Sequence, residues 1–231
     1  MQQWGMRLFL SLIFVFLVTL NPVPVDAQSR ANSCLKPSIK PQVSLRIKQA
    51  RIKVSTGRSR KQLLSIRGRS GSSATGAGWQ PVGLTLTSTL FQSQTAIQAQ
   101  PMAGGLYCIQ PAAITATIGF DKFKVFIARE YPRYSCEFNI IHEHEMTHVD
   151  IFKRTLREFT PRFQTRLNEA VRRLKPLTSR TPDRGARSVQ RDLQRAMLPL
   201  INTFSRKLDQ RNGRIDSPQS YLQILRRCKN W

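Results

Sequence analysis

The spacing of apolar residues changes once along this chain, and the change bounds the folds open to it. Between residues 39 and 128 apolar residues alternate with polar ones, the period of strands that bury one face. "IKPQVSLRIKQARIKVS" places Val43, Leu45 and Ile47, then Ala50, Ile52 and Val54, among basic residues, which reads as a half-buried strand pair. Val82, Leu84 and Leu86 continue the pattern, followed by Ile114, Ala116 and Ile118 and by Phe123, Val125 and Ile127. From residue 137 the period becomes helical. The expected fold class is α+β, a small antiparallel β-sheet followed by a helical half.

Prolines and glycines divide these halves. Residues 137 to 159 read as a helix that ends before Pro161. "PRFQTRLNEAVRRLK" restarts one, with Phe163, Leu167, Ala170, Val171 and Leu174 on one face. "SVQRDLQRAMLPLINTFSRKLDQ" repeats the pattern with Val189, Leu193, Met197, Leu200, Phe204 and Leu208, and Pro199 is expected to kink it. Ser217-Pro218 opens a last short helix carrying Tyr221, Leu222 and Leu225. "STGRSRKQLLSIRGRSGSSATGAGWQP" reads as a flexible loop or linker.

The first residues carry an export signal pattern: Arg7, the apolar run Leu8 to Leu20, and Val25-Asp26-Ala27 as cleavage site. Thirteen apolar residues are fewer than the roughly 20 needed to span a bilayer. The expected organisation is a signal peptide at 1–27, a basic strand region at 28–69, a Gly/Ser-rich loop or linker at 70–80, and an α+β domain at 81–231. The expected location is periplasmic or secreted. There, four cysteines, Cys34, Cys108, Cys136 and Cys228, read as two disulfides with three possible connectivities. Cys34 with Cys108 and Cys136 with Cys228 is the expected pairing, because each bond then ties one half of the chain to itself.

All three histidines, His142, His144 and His148, lie within "FNIIHEHEMTHVDIF". His144-Glu145-Met146-Thr147-His148 is an HExxH motif inside a segment independently read as helix. Residues i and i+4 are stacked neighbours on a helix, so His144 and His148 can present two imidazole nitrogens to one metal ion. Glu145 can then reach a water at that metal and take its proton during attack on a peptide carbonyl. Phe138, Ile140, Ile141, Met146, Val149, Ile151 and Phe152 would bury the motif helix. Asp150, where such motifs usually carry an apolar residue, can serve as an acceptor for an imidazole N–H or be a surface charge. His142 and Glu143 read as helix-start residues, with Glu143 favoured there by the helix dipole.

With "YSCEF" before it and a long basic helix after it, "HEHEMTH" resembles the bacterial exported proteins described as predicted secreted zinc-dependent proteases, a domain-of-unknown-function family. The resemblance covers roughly Leu106 to Cys228 and is specific mainly at HExxH; "RNGRIDSPQSY", with Asp216 and Tyr221, is similar to a C-terminal Asp-containing motif of that group. It implies a zincin-like fold and site: one Zn(2+) per chain on His144 and His148, and Glu145 as general base.

The third ligand stays open. No histidine follows His148, and Arg154 stands six residues after it, where a metzincin has its third histidine. Glu158 is on the order of 15 Å along the helix from His148. His142 points away from His144 by ~200°. Glu169 can approach if the helix after Pro161 folds back antiparallel, and Asp216 is supported by the resemblance; both remain candidates.

The net charge is +24, and no Asp or Glu occurs between Ala27 and Phe120. Such a chain is drawn to polyanions. No nucleic-acid-binding motif is recognisable, and export argues against that partner. Anionic cell-envelope polymer or lipid fits better. Two functions follow: an exported zinc-dependent metallopeptidase acting on a protein or peptide substrate, or a non-catalytic cationic envelope-binding protein whose HExxH helix is structural or merely holds metal.

Overall fold

Alternation becomes extended chain in three long segments of the computed structural model, which describes Cys34, residues 40–69, residues 81–229 and Trp231. The first segment is β1 (Gln42–Lys48) continued by β2 (Ile52–Arg58), the second β3 (Gly83–Leu86) continued by β4 (Thr89–Met102), and the third β5 (Leu106–Phe120) continued by β6 (Phe123–Ala128). Pairing runs β1-β5-β4 in one sheet and β2-β6-β3 in the other. The three segments thus keep the same neighbours on both sides of a line of bends at residues 49–51, 87–88 and 121–122. At that line a Cβ on Gly119 would overlap the Lys48 carbonyl oxygen, so only glycine lets β1 approach β5 so closely.

The α+β class holds, but there are two sheets rather than one, and each is mixed rather than antiparallel. β1 and β2 do not pair with each other; they join β5 and β6 in parallel, while β4 and β3 join them antiparallel. The reason is the number of reversals. The chain turns back between β2 and β3 and again at the Ala103–Gly105 turn, so the first and third segments run the same way with the third between the other two.

The segment expected to be a loop or linker from Ser55 onward first completes β2 and then forms a helix, α1 (Arg60–Arg69). Its start is a reciprocal cap: Gln62 N donates to Ser59 Oγ and Ser59 N donates to Gln62 Oε1. Leu63 is fully buried in a cluster with Leu84, Phe126, Ile127, Tyr131 and Ile141. The Gly/Ser-rich residues 70–80 and the expected signal at 1–27 lie outside the described residues.

The expected break at Pro161 does not occur. α2 runs from Cys136 to Arg173 without interruption, capped by Ser135 Oγ accepting from Phe138 N. An internal proline costs about 3 kcal/mol. Beyond it Phe163, Leu167 and Val171 are buried against the rest of the core, and each such side chain contributes about 1.5–3 kcal/mol, so burial outweighs the proline. β7 (Leu177–Ser179) pairs with the start of β5, and α3 (Pro182–Ile215) then packs back along α2, running through Pro199. Phe204 of α3 meets Phe159 and Phe163 of α2 at ring-centroid distances of 5.3 and 5.5 Å.

α4 (Pro218–Leu225) follows one short turn after α3, with Ser217 as its cap. Disulfides join Cys34 to Cys108 and Cys136 to Cys228. The second ties the first residue of α2 to the segment after α4. Among the described residues no helix is long and apolar enough to cross a membrane.

Candidate metal centre

The motif helix is anchored before it presents any chemistry. Ile140, Ile141, Val149 and Ile151 are buried, Phe138, Met146 and Phe152 are partly buried, and Cys136 is covalently tied. One turn apart on the face turned toward α3, His144 and His148 bring their Nε2 atoms to 3.2 Å, with the rings edge-on. Asp216, the C-cap of α3, completes a triangle: its Oδ1 is 3.2 Å from His144 Nε2 and 3.1 Å from His148 Nε2. Four-coordinate zinc with ~2.0 Å bonds sets its ligand atoms about 3.3 Å apart, so this triangle matches one face of its tetrahedron.

The protonation of His148 follows from its other nitrogen. Asn212 Nδ2 donates to the Leu208 carbonyl, which can only accept, and this turns Asn212 Oδ1 toward His148 Nδ1 at 2.8 Å. Nδ1 therefore carries the hydrogen and Nε2 offers its lone pair to the triangle. A carboxylate oxygen and imidazole lone pairs this close need a positive charge among them, supplied by a proton or a metal ion. In the metal-free protein burial works against a charge on His148, but its bond to Asp216 and the nearby Glu145 outweigh burial and lift its pKa to about 9. Burial likewise opposes the Asp216 charge, yet the bonds from His144 and His148 hold its carboxyl well below the usual range.

Glu145 lies on the side of the motif helix that meets β3. Its carboxylate is buried and accepts a 2.6 Å hydrogen bond from Thr85 Oγ1. A Cβ on Gly83 would overlap Glu145 Oε1 and come within 2.8 Å of both Glu145 Cγ and Ile141 Cγ2, so the bare glycine makes the room in which this carboxylate lies. Burial raises the Glu145 pKa, with the histidines and Thr85 pulling the other way. One Glu145 oxygen and one nitrogen of each imidazole all lie within 4.8 Å of one another, and the three residues form a group that can hold a metal ion.

Tyr221 of α4 closes the other side. Its hydroxyl donates to Asp216 Oδ1 at 3.3 Å, and its ring lies 5.6 Å from that of His144. Burial and the adjacent carboxylates raise its pKa, keeping the phenol protonated.

Of the two carboxylates open from sequence, Asp216 reaches the histidines and Glu169 does not. Because α2 is continuous, Glu169 lies on the order of 30 Å along it from His148, where it pairs with Arg166 at 3.7 Å. His142 stacks on Phe138, Glu158 pairs with Arg211 and Asp150 is exposed. Glu143 is not a helix-start residue: it sits in the third turn of α2 and pairs with Arg227, and Glu137 is the acid of the first turn. Sequence reasoning missed Asn212, Thr85 and Gly83. Asn212 had a legible signal, standing one helical turn before Asp216. Comparison with protein-family models, curated proteins and solved structures finds no match.

Proposed function

We propose that the protein is an exported zinc-dependent metallopeptidase, with His144, His148 and Asp216 as the ligands of one Zn(2+) and Glu145 as general base. The observation that carries this reading is the triangle of donor atoms at 3.1 to 3.2 Å, with an HExxH glutamate beside it. Zinc, when bound, supplies Lewis acidity that makes water a nucleophile near neutral pH.

The protein's own groups divide the remaining work. Asn212 holds His148 in the tautomer that leaves Nε2 free, and Asp216 brings a negative charge that favours a cation. Thr85 steadies the Glu145 carboxylate. Glu145 takes a proton from the attacking water as its oxygen bonds to the peptide carbonyl carbon. It then delivers that proton to the amine nitrogen as the C–N bond breaks. Tyr221, a protonated phenol at the edge of the site, is placed to donate to the carbonyl oxygen as negative charge develops there.

A signal pattern and two disulfides support export. A purely cationic binding protein would give the Gly83 gap and the Thr85 bond no task, which favours the enzyme. The deciding experiment is elemental analysis of the oxidised protein beside His148→Ala and Asp216→Ala, with peptide cleavage measured for Glu145→Gln. One zinc per chain, lost in both ligand variants, and no cleavage by a zinc-loaded Glu145→Gln protein are expected. No zinc in the wild type would end the proposal.

A further inference from the structure

The seam between α2 and α3 does not stop at the metal centre. Moving away from His144 and Asp216, it passes through His148 with Asn212, then Thr155 and Glu158 with Arg211. It then opens into a groove of about 720 Å³ lined by Glu158, Phe159, Arg162, Arg206, Lys207 and Arg211, together with Thr203 and Gln210. Glu158 and Arg211 neutralise each other at 2.7 Å. Arg162 lies over the Phe159 ring at 4.6 Å, Arg206 donates to Thr203 and Lys207 donates to Gln210. Among the described residues none of these three cations has a carboxylate partner. Among the described residues the groove thus carries three cations outside any ion pair, with Lys207 near enough to Glu158 to feel its charge and Arg162 covering the buried Phe159 ring.

We infer that this groove binds an acidic segment of the polypeptide substrate, a reading that rests on the proposed peptidase activity. Guanidinium groups pair carboxylates in a two-pronged geometry, and the groove offers two of them with an ammonium. Its α2 wall, residues 158 to 162, lies roughly 15 to 21 Å along the helix from His148. An extended peptide covers that distance in about five or six residues at ~3.3 Å each. The favoured substrate therefore carries a cluster of Asp or Glu about that far from the bond that is cut.

The test uses fluorescence anisotropy with a labelled peptide carrying six glutamates, its glutamine counterpart, and inorganic polyphosphate, on the full oxidised chain bearing Glu145→Gln so that nothing is cleaved. Arg162→Ala, Arg206→Ala and Lys207→Ala together should weaken binding of the acidic peptide about tenfold, while the same charge removed at exposed Lys53, Lys122 and Lys124 should weaken it less than about twofold. Arg206→Glu alone gives a second variant with a single exposed change, and thermal midpoints check that each variant folds. Equal weakening by the two triples, or none by the groove triple, would overturn the inference. So would groove-dependent binding of polyphosphate without groove-dependent binding of the peptide. Binding needs no turnover, so the groove and the peptidase reading fail separately. Groove-dependent binding with no cleavage by zinc-loaded wild type removes the enzyme and keeps an acidic-peptide site; cleavage that ignores acidic clusters at that spacing removes the groove's role.

Discussion

Asn212 on α3 accepts a 2.8 Å hydrogen bond from His148 on α2, and the same helix delivers Asp216 to the far nitrogen of that imidazole one turn later. One helix end thus orients one proposed ligand and supplies another. Partners of this kind are worth about 10- to 100-fold in metal affinity. Asn212→Leu is expected to weaken zinc binding by about that factor in a chelator competition, and Asn212→Asp to keep it.

The pH dependence of zinc uptake follows from His148. In the metal-free protein its pKa is raised from 6.5 to about 9. Zinc must displace that proton, so apparent affinity should climb by about tenfold per pH unit from pH 7 to 9 and then level off. Stability moves the other way. A raised folded pKa contributes stability that is complete below 6.5 and lost as pH rises through 9, while the lowered Asp216 contributes stability present above 3.8 and lost in stronger acid. The thermal midpoint of the metal-free protein should therefore fall between pH 7 and 9, and a midpoint that rises there would contradict the pairing.

Glu145 should be separable from the metal. Gly83→Ala places a methyl where Glu145 Oε1 lies, and Thr85→Val removes its donor. Both variants are expected to keep one zinc per chain and to lose cleavage through kcat, by about 10²-fold or more for Gly83→Ala. Thr85→Val leaves a buried acceptor unsatisfied and should cost about 1–3 kcal/mol in denaturant unfolding.

The Cys136–Cys228 bond and the Arg227–Glu143 ion pair clasp the segment carrying Asp216 and Tyr221 onto the start of the motif helix. Cys136→Ala with Cys228→Ala should lower stability by about 2–5 kcal/mol and lower zinc affinity as well. The Cys34–Cys108 pair lies away from the site, so its removal should lower stability with little change in zinc affinity.

Glu169→Ala serves as the contrast to Asp216→Ala. Its partner is Arg166 on the same helix, a half-buried pair at 3.7 Å still open enough to solvent to be worth about 1 kcal/mol or less. Zinc content and cleavage should match the wild type.

What the sequence determined by itself is local: a period of two and then a period of 3.6, the i,i+4 placement of His144 and His148, the Ser217 cap, and Asp216 as one of two candidate carboxylates. All but the last depend on neighbours a few residues apart, which is why they are legible in the chain; Asp216 is a candidate through the family resemblance. Tertiary structure decided which of Asp216 and Glu169 comes to the histidines, because that depends on whether α2 breaks at Pro161. A break avoids a cost of about 3 kcal/mol, and only the burial of Phe163, Leu167 and Val171 against the rest of the core outweighs it. Gly83 and Thr85 are of the same kind. Nothing near them in sequence marks them, and they matter because the β3 edge comes to rest on Glu145, 60 residues away.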